Sequence, residues 1–355
     1  MSAPNHSVSA YLLHTSAHEP GKTLMRGTFE SHSAIHSILS TANFIPRPIA
    51  WGSLRSAPHI HYFLCTYHAV TAAAPDAAAL GAALAKLHTR SARPEVRFGF
   101  PVTTHLAGGT ITNPRMVTDT WEEFFSASLR SLLLLEESTN GEDPELTALS
   151  KELFALIIPR LLKPLESNGR RIRPALCHGN LTGANISATH GGGTMVFNPA
   201  AVFAHHEYDF AVWRGAAASQ GARYLRAYLK HNPVSEPAAD FDDRNALYAL
   251  RFAIVRSIEF PGSRKYRGEV LREMGRLSEK FAPKVGPEEV VFRRHVPLFS
   301  MSQEEYKGFH EEVNGARMSS HRTRQMSLAA GQGAGGGTAQ TAKGKSGVGG
   351  IFSRR

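Results

Sequence analysis

The pattern of apolar positions divides the chain into a short front part and a longer back part. Residues 10–15 and 61–67 are runs of β-branched, aromatic and aliphatic side chains, which are typical of strands. Between them, apolar residues at helical spacing predict a helix over residues 25–39, after a break at Pro20–Gly21. The order strand, helix, strand indicates a small β-bearing unit that ends near residue 67.

Helical periodicity dominates beyond residue 67. The helical stretches that it predicts are residues 77–88, 121–136, 144–165, 246–259 and 264–281. One β-island interrupts them, because residues 174–177 and 194–197 have strand composition and a glycine-rich turn lies at residues 190–193. The chain therefore combines a small β-rich part with a larger, mostly helical part.

The end of the chain has a different composition from the rest. Residues 313–355 are rich in glycine and poor in aliphatic side chains, which predicts a disordered tail. The chain has 40 Lys and Arg against 30 Asp and Glu, but seven of the cations lie after residue 315, where no acidic residue occurs. Since the remainder is close to neutral, nucleic acid is not an expected partner of the folded part. Association with nucleic acid through the basic tail stays an alternative, and steep salt dependence would be its signature.

Cysteine usage and hydropathy point to a reducing, aqueous compartment. Cys65 and Cys177 are the two cysteines and both lie in apolar runs, so a disulfide framework is excluded. No stretch of 18 uninterrupted apolar residues occurs, and the first ten residues lack the pattern of a secretory signal. We therefore predict a cytoplasmic protein without a membrane partner.

The polar residues of the β-island have the spacing of a phosphotransferase loop. Asn180 and Asn185 are five residues apart, and Asn198 follows thirteen residues later at the end of an apolar strand. In protein-kinase-like enzymes these positions hold an Asp that orients the hydroxyl nucleophile, an Asn on a metal ion and an Asp on Mg²⁺. Ordinary turn chemistry also favours asparagine, so the spacing alone leaves both interpretations open.

The surrounding residues carry a resemblance to a known family. Residues 178–185 read His-Gly-Asn-Leu-Thr-Gly-Ala-Asn, residues 197–200 read Phe-Asn-Pro-Ala and residues 203–209 read Phe-Ala-His-His-Glu-Tyr-Asp. These segments resemble the His-Gly-Asp-Leu-Trp-x-Gly-Asn loop, the Asp-Pro-Ala segment and the His-x-Glu-x-Glu helix start of the fructosamine/ketosamine-3-kinase family. The chain is most similar to the fungal, protein-ribulosamine 3-kinase branch, over about residues 11–282.

The resemblance implies an α/β (α+β), protein-kinase-like fold of two lobes, with a helical C-terminal lobe at residues 68–312. It implies ATP and Mg²⁺ as cofactors, and glycated proteins with ketosamine adducts as partners. The implied reaction phosphorylates the 3-hydroxyl of the sugar and leads to deglycation. The N-terminal lobe, residues 1–67, is expected to be truncated, since thirteen residues before His14 are too few for the strand, glycine-rich turn and strand that cover the ATP phosphates.

An adenine-facing hinge is expected where the front part ends. The residues assigned to it are Leu64, Cys65, Thr66 and Tyr67. Their backbone N–H and C=O groups could meet a purine whatever the side chains are.

The catalytic loop departs from the family pattern. Asn180, which follows His178 and Gly179, stands in the position of the catalytic Asp, and a neutral amide cannot accept the hydroxyl proton, a contribution of roughly 10²–10⁴ in rate. Asn198 stands in the position of the metal-binding Asp, and an amide is a poor substitute for a carboxylate on Mg²⁺. Asn185, the second metal ligand, keeps its identity.

The front part departs from the pattern as well. His14 aligns with the Lys that grips the ATP phosphates, and an unperturbed imidazole is mostly neutral at pH 7. Thr28 aligns with the Glu that pairs with this Lys. Together these substitutions predict a pseudokinase. Two alternatives stay open: a slow ketosamine kinase in which Lys22 or Asp209 replaces a lost group, and a scaffold that binds through the helical lobe or the tail.

Other histidines are interpreted as structural. His88 lies in an apolar helix and is expected to be a satisfied buried imidazole. His205 and His206 are neighbours whose side chains point in different directions on a helix, which favours capping and core roles over metal binding.

Overall fold

The computed structural model describes residues 10–40, 43–113, 115–214 and 218–281. The predicted tail, residues 313–355, and the last part of the predicted C-terminal lobe, residues 282–312, lie outside the described residues. Within the described residues, no helix combines the length and the apolar character needed to cross a membrane.

Twelve strands and eight α-helices are assigned within this described part. The strands are β1 (Tyr11–Ala17), β2 (Pro48–Leu54), β3 (Ala57–Thr66), β4 (Val70–Thr71), β5 (Phe98–Phe100), β6 (Thr104–Leu106), β7 (Ile111–Asn113), β8 (Met116–Thr118), β9 (Ala175–Cys177), β10 (Ile186–Thr189), β11 (Thr194–Val196) and β12 (Val202–Ala204). The α-helices are α1 (His18–Leu39), α2 (Ala77–Ser91), α3 (Trp121–Asn140), α4 (Pro144–Glu152), α5 (Ile158–Leu162), α6 (Ala218–Leu229), α7 (Phe241–Glu259) and α8 (Arg264–Phe281).

The front part is a three-stranded antiparallel sheet in the order β1-β3-β2, with α1 packed on one face. Helix α1 begins at His18, directly after β1, so the predicted break at Pro20–Gly21 is wrong. Proline is tolerated in the first turn of a helix, where its missing N–H has no intrahelical partner. Gly21 allows the helix to fold back on the strand, since a Cβ there would lie 2.6 Å from the carbonyl carbon of Ser16.

The back part is mostly helical, as the periodicity predicts. The long helix predicted over residues 144–165 is broken into α4, a π-helical turn (Leu153–Ile157), α5 and a short 3₁₀ turn (Lys163–Glu166). Pro159 and Pro164 explain the irregularity, because neither residue can donate a backbone hydrogen bond to the preceding turn. The other four predicted helices are confirmed, with ends that shift by a few residues.

Two small sheets support the β-island. One has the order β8-β5-β12-β9, and the other has the order β11-β10-β4. Strands β10 and β11 form the predicted hairpin, whose turn is closed by the Thr189 N–H donating to the Gly193 carbonyl at 2.8 Å. The loop between β9 and β10 therefore lies between these two sheets. The segment that follows β11 is brought next to the C-terminal end of this loop.

Candidate functional site

The three asparagines picked out by spacing meet at one place. Asn180 and Asn185 lie on the loop between β9 and β10, and Asn198 lies two residues after β11. The pairing of β10 with β11 continues past the strands, since the Phe197 N–H donates to the Asn185 carbonyl at 2.9 Å. This pairing places the end of the loop beside Asn198.

Their side chains join the three residues in a closed ring of hydrogen bonds, which we call the asparagine ring. The Asn185 Nδ2 donates to the Asn180 carbonyl at 2.9 Å, and the Asn180 Nδ2 donates to the Asn198 carbonyl at 3.0 Å. The Asn198 Nδ2 closes the ring by donating to the Asn185 Oδ1 at 3.0 Å. Asn185 is almost fully buried, whereas Asn198 is exposed.

The orientation of each amide follows from its partner. A backbone carbonyl can only accept, so Asn180 and Asn185 must turn their Nδ2 groups towards the carbonyls that they contact. The Asn185 Oδ1 is then left to face Asn198, which must present its own Nδ2. Asn198 has a left-handed backbone with φ of 50°, a conformation that asparagine and aspartate adopt more readily than other residues.

This arrangement does not fit a Mg²⁺ ion. Mg²⁺ takes oxygen ligands in near-octahedral geometry and is usually held by at least one carboxylate. In the asparagine ring, amide N–H donors point between the residues, and no member carries a negative charge. Neither group of potential metal-ligating side chains found within the described residues includes a member of the ring: the groups are His88, Cys177 and Asp209, and His205, His206 and Glu207.

A buried carboxylate binds the backbone of the loop between β9 and β10 on the side that faces the protein interior. Asp209 is 2% exposed and accepts from the N–H groups of His178 and Gly179 at 2.8 and 2.7 Å. It also contacts the His88 Nε2 at 3.1 Å. Burial pushes the pKa of Asp209 upwards, but the hydrogen bond and charge of His88 and the Gly179 N–H outweigh burial and bring the pKa below its usual value. Asp209 is therefore a fixed anion under the loop backbone.

A buried cation holds the same loop from another side. Arg251 is 1% exposed, and its Nη1 donates to the Gly179 carbonyl at 2.8 Å. Its guanidinium lies against the rings of Tyr208 and Phe252, 5.1 and 4.9 Å from their centroids. Together with Asp209, Arg251 fixes the peptide groups immediately before Asn180.

His178 is built into this support. Its ring is fully buried, and its Nδ1 accepts from the Asn180 N–H at 3.2 Å. Burial lowers the pKa of His178 to about 4, against the opposing effect of Asp209. The imidazole is therefore neutral at pH 7 and positions the Asn180 backbone.

The two substituted positions of the front part do not form an ion pair with each other. Thr28 lies on α1 and donates its hydroxyl to the Leu24 carbonyl at 2.8 Å, one turn back along the helix. His14 lies on β1 opposite Phe63, and the two rings stack at 5.8 Å. His32 packs on the same phenyl ring at 4.8 Å. Desolvation lowers the pKa of His14, so the neutral form of its ring predominates at pH 7.

The predicted hinge segment lies in the central strand of the front sheet. Leu64, Cys65 and Thr66 belong to β3 and pair with β1 on one side, and Tyr67 follows. The Thr66 N–H donates to the Arg47 carbonyl at 3.0 Å and the Tyr67 N–H donates to the Ala10 carbonyl at 2.9 Å. Two of the N–H groups expected to meet a purine are therefore already used, and adenine recognition at this segment stays a prediction.

The prediction that His88 is a satisfied buried imidazole is confirmed, but the expectation that His205 and His206 point in different directions is wrong, since their ligand atoms and that of Glu207 all lie within 4.8 Å of one another. His88 is buried and contacts the Tyr228 hydroxyl at 3.0 Å through Nδ1. His205 lies between the hydroxyls of Tyr248 and Ser235, both at 2.9 Å.

Sequence reasoning missed that Asp209 and Arg251 support the loop. The signal that could have found Arg251 is a lone charge inside an otherwise apolar helical stretch, since a buried charge needs a partner. For Asp209, the sequence does not reveal the contact because the loop is about 30 residues away along the chain. The alternative in which Asp209 replaces a catalytic group conflicts with its burial and its three polar contacts.

Comparison with known proteins gives a consistent result. A family model described as fructosamine kinase matches residues 10–278. The chain is 28% identical to the ketosamine-3-kinase of Mus musculus over 289 residues, which cover 73% of this chain and 86% of the mouse protein. It is 27% identical to the chloroplastic protein-ribulosamine 3-kinase of Oryza sativa subsp. japonica over 176 residues, which cover 49% of this chain and 47% of the rice protein.

A solved structure shows the same fold. The putative fructosamine-3-kinase from Thermobifida fusca superposes with a TM-score of 0.58 and 20% identity, over 76% of this chain and 85% of that one. The predicted kinase-like fold, with a helical C-terminal part, is thereby confirmed.

Proposed function

Because the chain belongs to the fructosamine kinase family, we propose that it is a catalytically impaired protein-ribulosamine/ketosamine 3-kinase, a pseudokinase that binds glycated proteins through the family's cleft. The observation that carries the proposal is the Asn180 side chain. It stands in the position of the catalytic carboxylate, and its Nδ2 is committed as a donor to the Asn198 carbonyl. A group that donates there and has no basic site cannot take the proton of a sugar hydroxyl.

The surroundings of the site support the same conclusion. Phosphoryl transfer depends mainly on positioned charge, which in kinases is supplied by metal ions, a lysine and carboxylates. Here Asn180, Asn185 and Asn198 are neutral, and His14 is a mostly neutral ring stacked on Phe63. Asp209, the carboxylate that the sequence offers as a substitute for a lost group, is buried under the loop and bonded to its backbone.

Activity is the direct test. The full-length protein is incubated with ATP, Mg²⁺ and a lysine peptide that carries a ribulosamine or fructosamine adduct, and phosphate transfer is measured. We expect no product above the enzyme-free background, with the mouse ketosamine-3-kinase as a positive control on the same substrate. Robust, metal-dependent turnover by the unmodified protein would overturn the proposal and leave the family assignment intact.

Restoring one group is not expected to restore activity. Asn180→Asp returns the base, but the charges at positions 14 and 198 are still missing, so turnover should stay at background. The combined variant His14→Lys, Thr28→Glu, Asn180→Asp, Asn198→Asp should recover weak activity at best. Full recovery in the Asn180→Asp variant would show that the lost base alone caused the inactivity.

Binding can be separated from catalysis. If the cleft retains its partner, the ribulosamine peptide should raise the melting temperature of the wild-type protein by mass action, and the unmodified peptide should not. A titration with ATP and Mg²⁺ by the same method tests whether nucleotide binding survives. Equal responses to modified and unmodified peptide would contradict recognition of the adduct.

A further inference from the structure

The asparagine ring occupies the positions of the catalytic base and of both metal ligands of a kinase-like site, and its side chains are hydrogen-bonded to one another. Loss of catalysis alone would leave a site that still binds Mg²⁺. The ring instead connects the loop after β9 with the segment after β11 by direct hydrogen bonds. A bound metal ion makes the same connection by pulling oxygen ligands from both segments together.

We infer that the asparagine ring replaces the metal ion as the cross-link of this site, so that the loop keeps its shape without a divalent cation and the site does not bind one. The inference extends the proposed function, and it rests on the ring geometry and not on the absence of turnover.

The chemistry of the ring supports this inference. A cation requires the oxygens of the three residues to converge, but the Asn185 Oδ1 already accepts from the Asn198 Nδ2 at 3.0 Å. The Nδ2 groups of Asn180 and Asn185 are held by backbone carbonyls, and a flip of either amide would bring two oxygens into contact. A metal ion could enter only after several of these bonds break.

The support beneath the loop acts in the same direction. Asp209 and Arg251 fix the backbone at His178 and Gly179 from below, so the position of Asn180 does not depend on a ligand in the cleft. The loop is thus held on both sides by contacts that the chain itself supplies.

The substitution Asn198→Asp tests the inference, because it changes one donor into an acceptor with little change in shape. The new carboxylate oxygen would face the Asn185 Oδ1 with no hydrogen between them, so the two oxygens repel each other unless a cation lies between them. In EDTA we expect the melting temperature of this variant to fall by at least about 2 °C. Millimolar Mg²⁺ or Mn²⁺ should reverse the loss.

Compared with Asn185→Ala, the wild-type protein should show no additional rise in melting temperature with either metal, and titration with Mn²⁺ followed by electron paramagnetic resonance should detect no saturable site that this variant lacks. Asn168→Asp is the matched control, since Asn168 is exposed and has the same left-handed backbone, with φ of 54°. It should behave as the wild type does in EDTA and in metal.

Two results would overturn the inference. One is a saturable Mn²⁺ site or a metal-dependent rise in melting temperature in the wild type that Asn185→Ala abolishes. The other is an Asn198→Asp variant that melts with the wild type in EDTA and does not respond to metal. A wild type that binds Mn²⁺ at a site abolished by Asn185→Ala but does not transfer phosphate would remove the inference and leave the proposed function standing. Phosphate transfer by a wild-type protein that shows no metal response would overturn the proposed function and leave the inference standing.

Discussion

Burial of histidine side chains predicts that acid destabilises this protein, and His32 is the clearest case. His32 is 4% exposed, its Nδ1 donates to the Thr28 carbonyl at 2.8 Å, and the titratable groups that face it are His178 and His14. Burial lowers the pKa of His32 to about 3, with smaller contributions from the two histidines. The folded state therefore excludes a proton that the unfolded chain takes up at about pH 6.5.

This difference sets the sign of the pH dependence. Between about pH 6.5 and pH 3 the unfolded state binds more protons at His32 than the folded state does. The contribution of His32 to the free energy of unfolding is therefore fully present above about pH 6.5 and is lost as the pH decreases through this range. At pH 5 the loss from His32 alone is about 2 kcal/mol. We expect His32→Phe to remove this part of the difference between the free energies of unfolding at pH 7 and pH 5, measured with urea.

The control for this pH experiment is His190→Asn, which removes an exposed imidazole from the turn between β10 and β11. Its free energy of unfolding should change between pH 7 and pH 5 as much as that of the wild type. A His32→Phe variant with the wild-type pH dependence would contradict the assignment of His32 as a buried neutral ring.

At the scale of elements, the loop between β9 and β10 depends on one glycine. Gly179 has φ of 73°, its N–H donates to Asp209, and its carbonyl accepts from Arg251. A side chain at this position would need the left-handed conformation, and its Cβ would clash with the Ala200 carbonyl oxygen. Glycine therefore allows the loop to pass between its two buried supports.

We predict that Gly179→Ala lowers the free energy of unfolding by about 1–3 kcal/mol or more, because backbone strain and a steric clash act together. Urea unfolding measures the effect. Gly183→Ala on the same loop is the matched control, since Gly183 has no positive φ and no atom lies within 4 Å of an added Cβ. Equal stability of the two variants would show that the loop is not constrained at Gly179.

At the scale of the whole molecule, one buried ion pair ties the helical part together. Arg244 on α7 donates from Nε and Nη2 to the two carboxylate oxygens of Glu207, both at 2.9 Å, and both side chains are fully buried. The same guanidinium donates to the carbonyls of Pro237 and Ser235 at 2.7 Å. The pair therefore joins α7 to the segment after β12 and to the loop before α7.

Removing one partner of this pair should be costly. Arg244→Met leaves the Glu207 carboxylate buried without a counter-charge, and we expect a loss of about 3–5 kcal/mol in the free energy of unfolding. Arg256→Met is the matched control, because its ion pair with Glu269 is partly exposed to solvent, and it should cost about 1 kcal/mol or less.

The double variant Arg244→Met, Glu207→Gln tests whether the uncompensated Glu207 charge causes the loss of stability in Arg244→Met. It removes the uncompensated charge and should recover part of the loss. A double variant that is no more stable than Arg244→Met would mean that packing and backbone contacts, and not the buried charge, dominate this interface.

The sequence by itself determined the features that depend on short distances along the chain. Helical periodicity located α2, α3, α7 and α8, because one buried face repeats every three to four residues. The spacing of Asn180, Asn185 and Asn198 was sufficient to bring them together, since a hairpin of two adjacent strands connects the loop to the third residue. The residue types themselves fixed the absence of a base and of a metal carboxylate at these positions.

The tertiary structure decided what depends on contacts between distant segments. Strands β5, β8 and β12 are three residues long, too short for an alternating pattern, and they exist because their partners lie far along the chain. The orientation of the three amides depends on backbone carbonyls that a spacing does not reveal. Asp209 and Arg251 reach the loop from 30 and 72 residues away, so only folding shows that a charge buried in an apolar stretch has a partner there.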